Sequence, residues 1–217
     1  MIKFALITEG ITDQIVIENI LTAYFDSYVN IRWLQPLRDE TDENSPKSPG
    51  GWYQVFEYCQ SSQFREEFAL SDYVIIHIDT DVSQEKHYDV PHFDKLGNEY
   101  SPEQLIEQVI NKFKGLIGEP FYNECANRII FAIAVHSIEC WLLPLYYPED
   151  EHISGVVENC ADQLRKQKTF PKKPQSYRHI SNYTHEQLMK LYRANPSLKI
   201  FIEEFQRRNI IVSEVKK

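Results

Sequence analysis

The chain has 217 residues, long enough to bury a full core and to form one domain with an extension. Its hydrophobic and charged fractions, 42% and 25%, are those of an ordinary water-soluble fold. A formal net charge of −9 excludes a protein that coats nucleic acid by bulk charge. It leaves room for an enzyme that meets phosphates through metal ions and a local basic patch.

Residues 2–7 are apolar and β-branched and predict a first strand, with no signal-peptide pattern ahead of it. The strand runs into Thr8-Glu9-Gly10-Ile11-Thr12-Asp13. Ile15, Val16, Ile20, Leu21 and Tyr24 then recur at helical spacing, with Thr12 as the expected N-cap and Asp13 in the first turn. Residues 28–34 read as a second strand, and 37–51, with Pro46, Pro49 and a glycine pair, as a surface loop. Trp52 to Leu70 predicts a helix interrupted near Ser61-Ser62.

Residues 73–83 read Tyr-Val-Ile-Ile-His-Ile-Asp-Thr-Asp-Val-Ser. A short apolar run stopping at polar residues predicts a strand buried on both faces. If that strand continues through the motif, Asp79 and Asp81 point to one side. Residues 84–98, with His87, Asp89, His92 and Asp94, mix His and Asp as a metal site would, but their irregular spacing reads rather as a solvated loop. Ser101 and Pro102 open a helix striped by Leu105, Val109, Ile110, Phe113 and Ile117. Residues 128–135 predict another buried strand, after which Ser137 can cap a helix with Glu139 in its first turn.

This alternation predicts a three-layer α/β domain, mainly parallel and Rossmann-like, over residues 1–147. Residues 148–217 are expected as a helical C-terminal extension packed on it, with helices near 187–193 and 198–208. That extension carries a basic cluster, Arg165, Lys166, Lys168, Lys172 and Lys173, with Phe170 inside it. Such a cluster reads as a solvated face or as a phosphate-facing surface. Four cysteines, Cys59, Cys125, Cys140 and Cys160, are scattered without a Cys-x-x-Cys pair. Their spacing argues against a zinc site or a disulfide framework and suits a reducing cytoplasm. No apolar stretch is long enough to span a bilayer.

Three segments end in acids at the expected carboxyl edge of the sheet: Glu9, the Asp79/Asp81 pair, and Glu139. Parallel sheets place working residues there. Adjacent carboxylates repel unless something positive lies between them, and Mg²⁺ or Mn²⁺ is the natural mediator. The plainer alternatives are a turn-forming Asp-Thr-Asp, a solvated Glu9 and a Glu139 that complements a helix dipole.

In order and spacing, Glu9-Gly10 and Asp79-Thr80-Asp81 resemble the TOPRIM domain of topoisomerases, primases and OLD-type nucleases. Thr8-Glu9-Gly10-Ile11-Thr12-Asp13 and Ser137-Ile138-Glu139-Cys140-Trp141-Leu142-Leu143 are similar to small stand-alone TOPRIM-like proteins of the RloB and OLD-related group. The resemblance covers roughly the first two thirds of the chain. It implies a metal-dependent nuclease of bacterial anti-phage or mobile-element defence acting on DNA or RNA. It also implies Glu9, Asp79, Asp81 and Glu139 as catalytic metal ligands for Mg²⁺ or Mn²⁺, with Asp13 and Ser137 in support. A partner ATPase and a homo-oligomer are further expectations. The lysine of OLD-type sites has no clear match; Lys166, Lys168, Lys172 and Lys173 are candidates by charge. Two other functions stay open: a non-catalytic TOPRIM-like subunit that binds nucleic acid or an ATPase, and a haloacid-dehalogenase-type phosphatase using Asp79 as nucleophile and Asp81 as acid/base.

Overall fold

The computed structural model describes residues 2–38, 47–147, 159–167 and 171–212. Four strands form one sheet: β1 (Lys3–Ile7), β2 (Asn30–Gln35), β3 (Tyr73–Asp79) and β4 (Ile129–Ala134). Every pairing is parallel, in the order β2-β1-β3-β4. Helices alternate with the strands: α1 (Ile11–Phe25), α2 (Trp52–Gln60), α3 (Ser62–Ala69), α4 (Pro102–Ile117) and α5 (Glu119–Cys125). After β4 come a 3-10 turn (Ile138–Trp141) and α6 (Leu143–Tyr146). They are followed by α7 (Cys160–Gln167), α8 (Pro174–Ile180), α9 (His185–Leu191) and α10 (Pro196–Arg208). The predicted α/β layering is observed.

The sheet separates two apolar layers because strand side chains alternate. Phe4, Leu6, Ile75, Ile130 and Ala132 face one cluster, with α1 and the C-terminal helices over it. Ala5, Ile7, Val74, Ile76, Ile78 and Phe131 face the other, covered by α2, α3 and α4. Strands β3 and β4 are buried on both faces, which is why they read as continuous apolar runs, whereas the edge strand β2 is half-buried over most of its length.

The caps show how local sequence sets the boundaries. Ser101 and Gln104 make a reciprocal capping box at the start of α4, as its sequence signature predicts. Helix α1 instead begins after Gly10, which makes no side-chain cap. The expected N-cap, Thr12, lies inside the helix, where its hydroxyl donates to Asp13 Oδ1 at 3.3 Å.

The segment expected as an extension is helical where described and completes the first apolar layer. Phe205 is fully buried and its ring meets those of Phe4, Tyr24, Phe25 and Phe201. Trp141, also fully buried, stacks on Phe201 at 5.2 Å. Without α10 the sheet face carrying Phe4 and Ile130 would meet water. Phe205→Ala is therefore expected to cost about 3–5 kcal/mol, the range for emptying a buried aromatic site. Urea denaturation followed by two probes, tryptophan emission and far-UV dichroism, checks this. Coincident transitions are expected, and separated ones would make the C-terminal helices an independent unit.

Candidate active site

The strand order fixes where a ligand can sit. From β1 the chain moves to β2 on one side, then returns past β1 to β3 on the other. The carboxyl ends of β1 and β3 thus flank a topological switch point, the crevice where open α/β sheets bind ligands. Glu9 follows β1 and Asp79 ends β3. Glu9 Oε1 accepts the Asp79 amide at 2.8 Å, taking over from the β1–β3 ladder where the strands part.

The Asp79-Thr80-Asp81 turn is zipped to the end of β4. Thr80 N donates to Ala134 O (3.1 Å) and His136 O (2.9 Å), and Asp81 N donates to His136 O (3.0 Å). The fully buried Thr80 hydroxyl accepts from His136 N at 2.8 Å. The strand itself stops at Asp79, so the two aspartates are not related by strand alternation as expected. They nevertheless line one cavity of about 480 Å3, together with His92, His136, Glu139 and Lys172. Ser137, which also lines it, occupies the N-cap position of the 3-10 turn but makes no capping hydrogen bond.

Glu9 and Asp13 do not line this cavity, yet they belong to the same charge cluster. Burial, then the charges of Asp79 and Asp13, push the Glu9 carboxyl up to about 8. Burial pushes Asp79 up to about 7, with Asp13 and Glu139 adding to it and the His77 contact pulling back. Asp13 is raised by burial and by Glu139, Asp81 by burial and by Glu139; Lys172 opposes both shifts.

Three residues that sequence reasoning missed hold these acids. His77 sits on the same strand face as Asp79, two positions earlier, and is fully buried. Its Nδ1 contacts the Ala132 carbonyl at 2.7 Å, and Nε2 lies 3.3 Å from Asp79 Oδ1. That second contact is an electrostatic approach rather than an aligned hydrogen bond, since neither atom has a hydrogen-bond partner. Burial works against a charged His77, but contact with Asp79, aided by Asp13 and Glu9, carries it up to about 9. Tyr177 of α8 donates its hydroxyl to Glu139 Oε1. Burial, then Glu139, holds that phenol far above its usual range. Tyr88, from the 84–98 loop, donates to Asp79 O at 2.9 Å. His92 of the same loop, expected to be solvated, has Nε2 2.8 Å from Thr80 O and reaches the cavity.

The glycine pair closes over the turn after β1. Gly51 N donates to Glu9 O at 2.7 Å, and a Cβ on Gly50 would stand 2.3 Å from that oxygen. The end of the 37–51 loop thus docks on Glu9; residues 39–46 lie outside the described residues.

Of the basic cluster, Lys172 reaches the cavity. Arg165 is exposed and pairs with Asp162 at 2.9 Å, Lys166 donates to Gln163 Oε1 at 2.9 Å, and Lys173 is exposed at the start of α8. Lys168 and Phe170 lie outside the described residues. The cysteine expectation is corrected. Cys140, beside Glu139, is disulfide-bonded to Cys160, which lines the cavity, while Cys59 and Cys125 are free. A 20-residue separation carries no local disulfide signature. Thiol titration of denatured, unreduced protein should accordingly count two free thiols rather than four.

The donors are carboxylate oxygens, the chemistry that suits Mg²⁺ or Mn²⁺, and Asp79 Oδ1 is a buried polar atom without a hydrogen-bond partner. Among the described residues no three His, Cys, Asp or Glu side chains form a closed ligand group. The acids are neighbours in the right place rather than a finished coordination shell. Comparison with family models, with characterised proteins and with solved structures finds no match for this chain. Among the described residues no helix is long and apolar enough to cross a membrane.

The site's protonation gives a signed prediction. Glu9, Asp79 and His77 all have folded-state pKa values raised above their free values. The folded protein therefore binds more protons than the unfolded chain, and stability present at low pH is lost as pH rises through about 7 to 9. In the absence of divalent metal, the melting temperature should fall from pH 5 to pH 9. Asp79→Asn, which removes one raised acid and the partner of His77, should flatten that slope.

Proposed function

We propose that the chain is a divalent-metal-dependent nuclease that hydrolyses phosphodiester bonds of DNA or RNA. The observation that carries this reading is that Asp79, Asp81 and Glu139, from the ends of β3 and β4, line one cavity, with Glu9 from the end of β1 bonded to the Asp79 amide behind it. Four carboxylates in one place make a poor site for an anionic substrate unless cations are bound. With cations they are what phosphoryl hydrolysis requires.

Asp79, Asp81 and Glu139 would hold Mg²⁺ or Mn²⁺ in the cavity, with Glu9 and Asp13 adding negative charge behind them. The metal, when bound, would neutralise charge at the phosphate and activate a water. The protein's own residues do the rest. Tyr177 fixes Glu139, which lines the cavity, through one of its oxygens. His77 restrains Asp79 from within the sheet. Lys172 lines the cavity and supplies a positive charge for a phosphate oxygen, the role for which the sequence offered four lysines without choosing. Glu9 is tied to Asp79, an arrangement for which the phosphatase alternative has no use. The TOPRIM-like resemblance, a role in phage or mobile-element defence, a cytoplasmic site of action and a partner ATPase belong to this same proposal.

The test is cleavage of labelled single- and double-stranded DNA and RNA by purified protein with Mg²⁺, Mn²⁺ or chelator. Metal-dependent cleavage is expected, lost by at least about a hundredfold in Asp79→Asn and Asp81→Asn, since each would remove a ligand of the hydrolytic metal. Cleavage that survives in the double variant would remove these residues from the mechanism. Binding without cleavage by any metal would favour the non-catalytic subunit.

A further inference from the structure

Beside the acidic cavity lies a second, smaller one of about 170 Å3. The two share a wall, because His92 and His136 line both. The buried Leu105 and Val135 also line it, with Tyr100 and Pro102 at its sides. Glu99, exposed, brings a carboxylate to it. We propose that this cavity binds a single unstacked nucleobase of the substrate, adjacent to the phosphate that is cleaved. This deepens the nuclease reading and rests on it for the identity of the neighbouring group.

Size and shape restrict the occupant. Pockets for drug-sized ligands run to roughly 300–1,000 Å3, so this one suits one small ring system and not a whole dinucleotide. The lining is mostly flat or apolar: two imidazoles, a phenol ring, a proline and two aliphatic side chains. Single-stranded nucleic acid is recognised by such surfaces, because every base offers a π-face while its edges take hydrogen bonds.

The walls are held in place independently of any ligand. His92 is fixed by its contact with Thr80 O, and Tyr100 N donates to His92 O at 2.8 Å. Phe93 and Glu99 form an isolated antiparallel bridge that closes the loop on itself. His136 takes a positive φ of 63°, which turns the chain between β4 and the Glu139 turn. The His92 and His136 ring centroids stand 6.2 Å apart, with planes at 82°. A ligand that fills the small cavity therefore shares the His92 and His136 wall with the cavity that Asp79 and Asp81 line.

Two specificities follow. A base stacked and paired in a duplex cannot enter, so the substrate is single-stranded or has its base turned out. A carboxylate accepts hydrogen bonds and donates none when ionised. Thymine and uracil offer a carboxylate only the imide N3–H, flanked by two carbonyl oxygens that repel it, so Glu99 favours the exocyclic amines of adenine, cytosine or guanine.

The experiment pairs a binding readout with a cleavage readout. Binding of adenosine and cytidine 5′-monophosphates is measured by ligand-observed NMR on the full chain, alone and with Mg²⁺. Wild type, Tyr100→Ala and Glu99→Gln are compared, after far-UV dichroism has established that each variant is folded. Binding should weaken at least about fivefold in Tyr100→Ala, the lower end of the loss seen when a stacking partner is removed. Glu99→Gln should erase the preference for adenosine and cytidine over uridine monophosphate. In parallel, Mn²⁺-dependent cleavage of single-stranded homopolymers should exceed that of duplex and fall in Tyr100→Ala through KM more than kcat. Mononucleotide binding lost in Tyr100→Ala upholds the base pocket even if no cleavage is seen. Cleavage equal for duplex and single strands, with Tyr100→Ala matching wild type in both readouts, overturns it while leaving the nuclease reading standing.

Discussion

The contact on which the carboxyl edge of this sheet depends is the approach of the buried His77 imidazole to Asp79. At an effective dielectric constant near 20, two unit charges 4 Å apart interact by about 4 kcal/mol, and like charges repel by as much. Asp79 feels Asp13 and Glu139, and Glu9 feels Asp79 and Asp13. One imidazolium cannot offset the several carboxylates that act on one another here. The remainder must come from bound protons, from a cation, or from Lys172 at the cavity wall. Burial and mutual repulsion raise these acids, which favours the first of these when the protein is alone. Protonation and metal binding therefore compete for the same oxygens, a general property of carboxylate metal sites.

The C-terminal helices are bound into this balance as well as into the core. Tyr177 leaves α8 to donate to Glu139, and the Tyr183 hydroxyl donates to the Trp141 carbonyl at 2.5 Å. The Trp141 indole donates to Ser197 Oγ at 2.8 Å, and that hydroxyl in turn donates to Asn195 Oδ1. Asn195 caps α10, accepting from Ser197 N and Leu198 N at 3.0 Å. The 3-10 turn that presents Glu139 is thus positioned by three C-terminal elements and by the disulfide to α7. A change in their packing reaches an acid of the site through one or two bonds.

Much of this was legible in the sequence because it is written in local patterns. Strand ends fall where apolar runs meet acids, and the α4 cap is a four-residue signature, Ser101-Pro102-Glu103-Gln104. The convergence of Glu9 with Asp79 follows from parallel topology alone, across 70 positions. What stayed hidden depends on partners that no window contains. His77 resembles any residue of a strand; its role needs Ala132, 55 positions away, to orient the ring. Tyr177 and Glu139 are 38 apart, Cys140 and Cys160 are 20 apart, and neither pair has a spacing rule behind it. His92 was weighed by its loop composition, whereas its contact with the Thr80 carbonyl decides its place. A signal was available for His77 alone: a polar residue two positions before an acid, in a strand buried on both faces, must share that acid's face.

The way each acid is held bears on whether the cluster can close around a cation. Glu9 is tied through Oε1 to the Asp79 amide and Glu139 through Oε1 to Tyr177, whereas Asp79 Oδ1 has only the 3.3 Å approach of His77 Nε2 and no hydrogen bond. Among the described residues the second oxygen of each makes no protein hydrogen bond. Glu9 and Glu139 are thus each held through one oxygen, and an outer partner of this kind fixes the orientation of a carboxylate. Anchoring both oxygens would make a rigid structural network with nothing to offer a ligand. Anchoring neither would let repulsion turn the side chains out to water. Among the described residues these acids form no closed ligand group, and like charges this near one another repel. The backbone that carries Asp79 and Asp81 is locked by the β3–β4 ladder and its extension through Thr80, so what freedom these acids have lies in their side chains.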